Sequence, residues 1–315
     1  MQTRSIGALD ASVVGLGCNN FGGRIDEAAT KRVVDAALDA GVTLFDTADI
    51  YGGTKSEEFL GRSLAGRRDR ALIATKFGGP IDDEHPGGAS ASYVARACED
   101  SLRRLATDHI DLYQIHFPDQ ATPLEETLGA LDELVRAGKV REIGCSNFSV
   151  ELIESAARIS AENGWARFVS VQNEYSLLRR GPEKQGVLDA CAKHDIAFIP
   201  YFPLASGVLS GKYERGAPPP AGTRLAGLPA ERAEQALSDT VMNRVDGLSA
   251  WATAQGHTLL ELAFAWLLAR PVVGSVIAGA TKPEQVAANA AASGWQLTSD
   301  DLGEIDAVIS AAKER

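Results

Sequence analysis

Apolar residues recur along this chain in two alternating rhythms: short continuous runs, and longer stretches in which an apolar residue returns at every third or fourth position. The runs predict strands at 44–46, 71–75, 111–115, 142–145, 169–172, 197–201 and 274–278, with a weaker eighth at 295–297. The periodic stretches predict helices between them. In the first, Asp26 supplies an N-cap, Ala29, Val33 and Ala37 form one stripe, and Gly41 stands where a left-handed residue closes the helix. A second carries Val94, Cys98, Leu102 and Leu105 on one face. A third opens on Thr122-Pro123-Leu124-Glu125, which reads as a capping box with proline at the first helical position, and continues through Leu128, Leu131 and Val135 to Gly138. Thr258 with Glu261 and Thr281 with Glu284 read as two further capping boxes. The last helix is built around Leu302, Ile305 and Ile309, close enough to Arg315 that no long C-terminal loop is expected over a substrate.

Strands alternating with helices at this spacing spell βαβ units and a parallel sheet. Eight of them, with no Pro/Gly/Ser-rich linker, predict an α/β fold in which a (β/α)8 TIM barrel forms one domain over residues 1–315. A hairpin, 4–6 against 12–14 around Leu9-Asp10, is expected to cap its N-terminal end. The irregular segments 78–89 and 216–229 read as loops over the functional face.

Charge narrows the partners. Against 31 lysines and arginines stand 42 aspartates and glutamates, a formal net charge of −11. That disfavours a nucleic-acid or anionic-membrane surface and leaves room only for a small basic pocket. The apolar run 263–269 is far short of the ~20 residues that span a bilayer, and 1–18 lacks the apolar core of a signal peptide, so a cytoplasmic location is expected. Cys18, Cys98, Cys145 and Cys191 are scattered without partner spacing and are expected to be reduced. The five histidines form no metal-binding motif, and no metal is expected.

In a barrel the functional face is made by the C-terminal ends of the strands, so the polar residues that close each apolar run are the informative ones. These are Asp46, Lys76, His116, Ser146 with Asn147, Gln172 and Tyr201, each about one βα unit from the next. Any one of them has an ordinary structural reading, as strand-end hydrogen bonder, solvated lysine or satisfied histidine. Brought to one rim with Tyr51 from the first βα loop, they make a coherent set. A phenol with an ordinary pKa of ~10 is a poor acid, and using Tyr51 to protonate a developing alkoxide calls for a lowering worth roughly 3–4 kcal/mol. Lys76 would supply it by stabilising the tyrosinate, Asp46 would keep Lys76 charged, and a neutral His116 would hydrogen-bond a carbonyl. Carbonyl reduction by hydride is the reaction this chemistry suits.

A nucleophile elbow and a Walker loop are absent, and Gly15-Leu16-Gly17-Cys18-Asn19-Asn20 is not a Gly-x-Gly-x-x-Gly fingerprint. A hydride donor would lie across the barrel mouth instead. Gly279-Ala280-Thr281-Lys282, directly before a helix, suits either an anion on exposed N–H groups or a plain capping loop.

From end to end the chain resembles the aldo-keto reductases, in the bacterial branch similar to potassium-channel β-subunits. The resemblance is carried by Leu44-Phe45-Asp46-Thr47-Ala48-Asp49-Ile50-Tyr51-Gly52, Ala74-Thr75-Lys76-Phe77-Gly78, Asp111-Leu112-Tyr113-Gln114-Ile115-His116, Gly144-Cys145-Ser146-Asn147-Phe148, Gln172-Asn173, and Tyr201-Phe202-Pro203-Leu204-Ala205-Ser206-Gly207 with Gly211-Lys212-Tyr213. It implies an NADPH-dependent reductase of aldehyde and ketone carbonyls in which Asp46, Tyr51, Lys76 and His116 match the catalytic tetrad and Tyr51 is the acid. Ser146, Asn147 and Gln172 would hold the carboxamide and Tyr201 would stack on the nicotinamide. Leu204, Ser206, Gly207 and Lys212 match the pyrophosphate loop, with Phe202 and Pro203 beside them and Arg224 reaching in from the long loop. Gly279, Thr281, Lys282, Gln285 and Asn289 match the adenosine end with its 2′-phosphate. Gly17, Cys18, Asn19 and Asp46 complete the implied cofactor contacts.

Some positions depart from the common pattern of that family. Phe117 replaces a frequent tryptophan, Phe202 a serine, Ala278 a proline, and Cys18-Asn19-Asn20 a threonine-containing run, so the departures concern substrate preference and the channel rather than the tetrad. Two other functions compete with a reductase: a regulatory module that binds NADPH with little turnover, and a barrel aldolase using Lys76 as a Schiff-base nucleophile. A small-molecule carbonyl compound is the expected partner. Oligomeric state is not legible in this pattern.

Overall fold

The computed structural model describes residues 1–311. Among these residues ten strands are present: β1 (Thr3–Ile6), β2 (Leu9–Ser12), β3 (Val14–Gly17), β4 (Leu44–Asp46), β5 (Leu72–Phe77), β6 (Ile110–Ile115), β7 (Val140–Ser146), β8 (Phe168–Gln172), β9 (Ala197–Phe198) and β10 (Val276–Gly279). The first two form an antiparallel hairpin, and the other eight a parallel sheet in the order β10-β3-β4-β5-β6-β7-β8-β9. Its two edges meet: Phe198 N–H donates to Val272 O and Gly274 N–H to Phe198 O. With the helices outside, this is the (β/α)8 architecture.

The strand pattern was legible except at its two ends. The segment 295–297 is not a strand; it links the turn Ala292–Gly294 to the helix Ser299–Ala311, with Trp295 stacked at 3.9 Å on the His257 ring. The missing barrel strand is β3, whose Val14 the hairpin reading had absorbed. The hairpin turns at Gly7-Ala8 instead of Leu9-Asp10, because Gly7, at φ 58°, supplies the positive φ a two-residue turn demands. Likewise β9 stops at Phe198, and Tyr201 makes only an isolated bridge to Glu174. Pro200, which has no N–H, interrupts the ladder between them.

Of the three capping boxes one forms: Thr258 Oγ1 accepts from Glu261 N–H, and the Glu261 carboxylate accepts from Thr258 N–H. At the other two the threonine takes a different partner. Thr122 Oγ1 donates to Asp119 with Pro123 as N-cap, and Thr281 bonds Gln285 with Lys282 as N-cap. Asp26 caps its helix as expected, accepting from Ala29 N–H.

Apolar packing falls into two layers. The larger lies between sheet and helices, and a smaller one fills the barrel, where Ile6, Leu9 and Ala11 of the hairpin plug the N-terminal end against Leu44, Ala74, Leu112 and Ile277. Strand periodicity does the rest. Leu44 and Ala74 face inward, so Asp46 and Lys76, two residues further on, face inward at the opposite end. No helix among the described residues is long and apolar enough to cross a membrane.

Candidate active site

Parallel register brings the ends of the strands to one level: Gly279 pairs with Gly17, Gly17 with Asp46, Lys76 with Gln114, and Ser146 with Gln172. There the barrel opens into a cavity of about 750 Å³. Asp46, Tyr51 and His116 line one part of it, and every position implied as a cofactor contact lines it too: Gly17, Cys18, Asn19, Ser146, Asn147, Gln172, Tyr201, Phe202, Pro203, Leu204, Ser206, Gly207, Lys212, Arg224, Gly279, Thr281, Lys282, Gln285 and Asn289. Lys76 lies beneath the lining, 0% exposed.

Lys76 Nζ donates to both carboxylate oxygens of Asp46, at 2.9 and 2.8 Å, and to Thr47 O at 2.8 Å. Gln172 Nε2 donates to the same carboxylate at 2.8 Å. The ammonium also stands 5.1 Å from the centre of the Tyr51 ring. Burial pulls Lys76 down, but Asp46 and Tyr51 more than offset it and hold it above its ordinary value. A charged, fully buried amine with all its acceptors in place is not a nucleophile.

Tyr51 departs from expectation in direction. Burial pushes its phenol above the ordinary value; Lys76 works the other way, as anticipated, but Asp46 beside it returns part of the effect. Tyr51 is therefore a fully protonated donor across the neutral range. His116 lies edge-on to Tyr51, with ring centres 5.7 Å apart. Burial first, then the Lys76 charge, lowers its pKa to about 3, so its ring is neutral. Its Nδ1 is buried without a partner.

Next to this cluster, polar side chains hold one another. Ser146 Oγ donates to Gln172 O at 2.7 Å, Asn147 Nδ2 to His116 O at 3.0 Å, and Tyr201 Oη to Asn147 Oδ1 at 2.9 Å. Further along, the chain over 202–207 is bent through left-handed positions at Phe202, Ala205, Ser206 and Gly207, a conformation that costs about 1–3 kcal/mol at each non-glycine residue and is found where function demands it. Gly207, at φ 92°, has a backbone conformation that strains any other residue, and Lys212 lies directly over it.

Lys212 belongs to a group of three cations of which the sequence points to two, Lys212 and Arg224. Arg24 lines the same wall, in the loop after β3. Among the described residues none of Arg24, Lys212 and Arg224 has a carboxylate within ion-pair distance. Burial first, and then their mutual repulsion, lowers the pKa of Lys212 and of Arg224. In a protein of net charge −11, three unpaired cations converging on a cavity wall have the charge to attract an anion. Arg24 went unnoticed because its strand was missed, which hid its place on the rim.

The two long loops differ in their part. Segment 216–229 is fastened across the cavity mouth, with Arg24 donating to Gly222 O at 2.7 Å and Arg224 to Asn19 Oδ1 at 3.1 Å. Segment 78–89 contributes no side chain to the lining. His85 and the Glu84 carbonyl tie it back to Asp100 and Arg96 of the neighbouring helix.

A barrel with this rim is matched by the model of the Aldo/keto reductase family over residues 13–310. The chain belongs to the aldo/keto reductase family. Its members are oxidoreductases acting on carbonyls, and the family uses nicotinamide cofactors. The chain is 34% identical over 320 residues to the aldo-keto reductase YhdN of Bacillus subtilis, covering 96% of this chain and 91% of that protein. It is 33% identical over 325 residues to a probable voltage-gated potassium channel subunit beta of Arabidopsis thaliana, covering 100% and 98%. Among solved structures it is similar to the holo form of an aldo-keto reductase from Bacillus halodurans, with TM-score 0.80, 31% identity, and 98% and 96% of the two chains covered.

Proposed function

We propose that the protein reduces aldehyde or ketone carbonyls to alcohols with NADPH, and that Tyr51 is the general acid. The observation that carries this reading is the meeting of Asp46, Tyr51, Lys76 and His116 at one part of a cavity whose other wall holds unpaired cations. Bound NADPH supplies a hydride. Tyr51 donates its proton to the carbonyl oxygen as charge gathers there, Lys76 stabilises the tyrosinate left behind, and the Asp46 carboxylate keeps Lys76 charged and aimed. Neutral His116 holds the carbonyl oxygen through a ring N–H.

The residues fit a dinucleotide. The left-handed turn at Ser206-Gly207 and the cations Arg24, Lys212 and Arg224 suit its pyrophosphate. Ser146, Asn147 and Gln172 suit the carboxamide, Tyr201 the nicotinamide face, and Gly279, Thr281, Gln285 and Asn289 the adenosine. Lys282, at the N-terminus of the helix Pro283–Ala291, suits a 2′-phosphate. Lys282→Ala is expected to weaken NADPH about 10-fold and NADH much less, read by cofactor fluorescence; equal losses for the two would move the 2′-phosphate contact elsewhere.

Because His116 titrates only near pH 3, kcat for reduction should be flat between about pH 5 and 7. A limb near the ordinary histidine value of ~6.5 would mean that His116 takes up its proton below that pH.

Likeness to the plant channel subunit favours a second reading, a module that binds the cofactor and turns over little. Turnover of a broad aldehyde panel, dependent on Tyr51, separates the two; tight NADPH binding with none supports the module.

A further inference from the structure

Behind the loop that presents Tyr51 is a buried set of ionisable groups to which the proposed reaction gives no role. Asp49 is 0% exposed. It stands between Asp46 and Tyr51, and its backbone N–H donates to the Lys76 carbonyl at 3.1 Å, tying the loop to β5. Neither of its carboxyl oxygens has a hydrogen-bond partner.

Its neighbour Glu57, from the helix Lys55–Ser63, is equally buried but fully engaged, accepting from Thr75 Oγ1 at 2.6 Å and from Arg104 Nε at 2.6 Å. The cations nearby are therefore already taken, Arg104 by Glu57 and Lys76 by Asp46. Two phenols, Tyr93 of the helix Ala91–Leu105 and Tyr113 of β6, have buried hydroxyls without partners, and both lie close enough to sense a charge on Asp49. Glu57, Arg104, Lys76, Tyr93 and Tyr113 are thus the titratable groups around it, and burial first, then Glu57, weighs against a charge on Asp49 more than Arg104, the Ile50 backbone N–H and Lys76 favour it. A buried carboxylate with no cation of its own is far more costly than a neutral acid in the same place.

We propose that Asp49 is a positioning residue for carbonyl reduction: as a neutral acid it keeps the Tyr51 loop seated on β5, and its ionisation unseats that loop and lowers turnover. The inference rests on the reading of Tyr51 as the acid. Ionised Asp49 would put a second carboxylate beside Glu57 in a dry site, where like charges repel strongly. The relief available is movement of the loop, and Tyr51 moves with it. Burial first and Glu57 second hold the Asp49 carboxyl up to about 8, so the change falls within reach of an assay.

The test is kcat against pH for the wild type and for Asp49→Asn, which keeps the shape and cannot ionise; Asp49→Leu is a second variant should the first not fold. Wild-type kcat is expected to fall above about pH 8, approaching ten-fold per pH unit, with KM for NADPH flat. The variants should show no decline until the Tyr51 phenol itself titrates, above its ordinary value. Parallel declines in wild type and variants would overturn the role of Asp49 alone. Infrared difference spectra, wild type minus Asp49→Asn, should show a protonated-carboxyl band at neutral pH that is lost in alkali, and its absence at neutral pH would overturn the neutral acid. The spectrum needs no turnover: a wild type that shows the band but reduces no carbonyl contradicts the reaction, and with it the positioning role.

Discussion

Replacing Tyr51 by phenylalanine is expected to lower kcat for carbonyl reduction by about 10²–10⁴-fold, the usual share of a positioned general acid. NADPH affinity should stay within about two-fold, because the ring remains and only the hydroxyl is lost. The loss should fall on kcat and kcat/KM alike, since the proton moves only in the transition state. Steady-state kinetics beside a fluorescence titration of the cofactor reads both. Substantial residual turnover would mean that another group, such as His116, delivers the proton.

The second large effect is at Lys76. Lys76→Met removes the ammonium that bridges Asp46 and Thr47 O and leaves the Asp46 carboxylate buried with Gln172 as its remaining donor. Breaking a buried pair from one side costs about 3–5 kcal/mol, to be read from urea unfolding, and turnover should fall with it because the tyrosinate loses its counter-charge. Adding Asp46→Leu should recover stability but no turnover, since removing both charges spares the orphaned carboxylate. A double variant as unstable as the single one would show that the lysine stem, and not the ion pair, holds this end of the barrel. The sign with pH follows from the raised Lys76 pKa: the pair's contribution is complete below the lysine's ordinary value and is lost only as pH rises through the higher folded one.

Much of this site was legible in the sequence because strand periodicity is strict. Residues two apart share a face, so an aspartate after Leu44 and a lysine after Ala74 had to point where those side chains point. What escaped was set by neighbours distant in the chain. The eighth strand was hidden because Val14–Gly17 follows the hairpin almost without a break, and its partners are β4 and β10, the latter at the far end of the sequence. With it went Arg24, whose unpaired charge has meaning only beside Lys212 and Arg224. The Tyr51 pKa was misjudged for the same reason, since a count of charges sees Lys76 but not the burial that outweighs it. The exposed rings of Phe117, 46% accessible, and Phe202, 36%, likewise make sense only in place, the first stacked on His116 and the second edge-on to Tyr201 at the cavity wall.

The central claim is hydride transfer to a carbonyl carbon within this barrel, and isotope transfer tests it most directly. Wild-type protein would be incubated with an aldehyde and NADPH carrying deuterium at both nicotinamide C4 positions, and the product alcohol examined by mass spectrometry and NMR. The account predicts deuterium on the former carbonyl carbon, at a rate that collapses in Tyr51→Phe. Alcohol that carries no deuterium, or NADPH bound tightly beside an untouched panel of aldehydes and ketones, would contradict it.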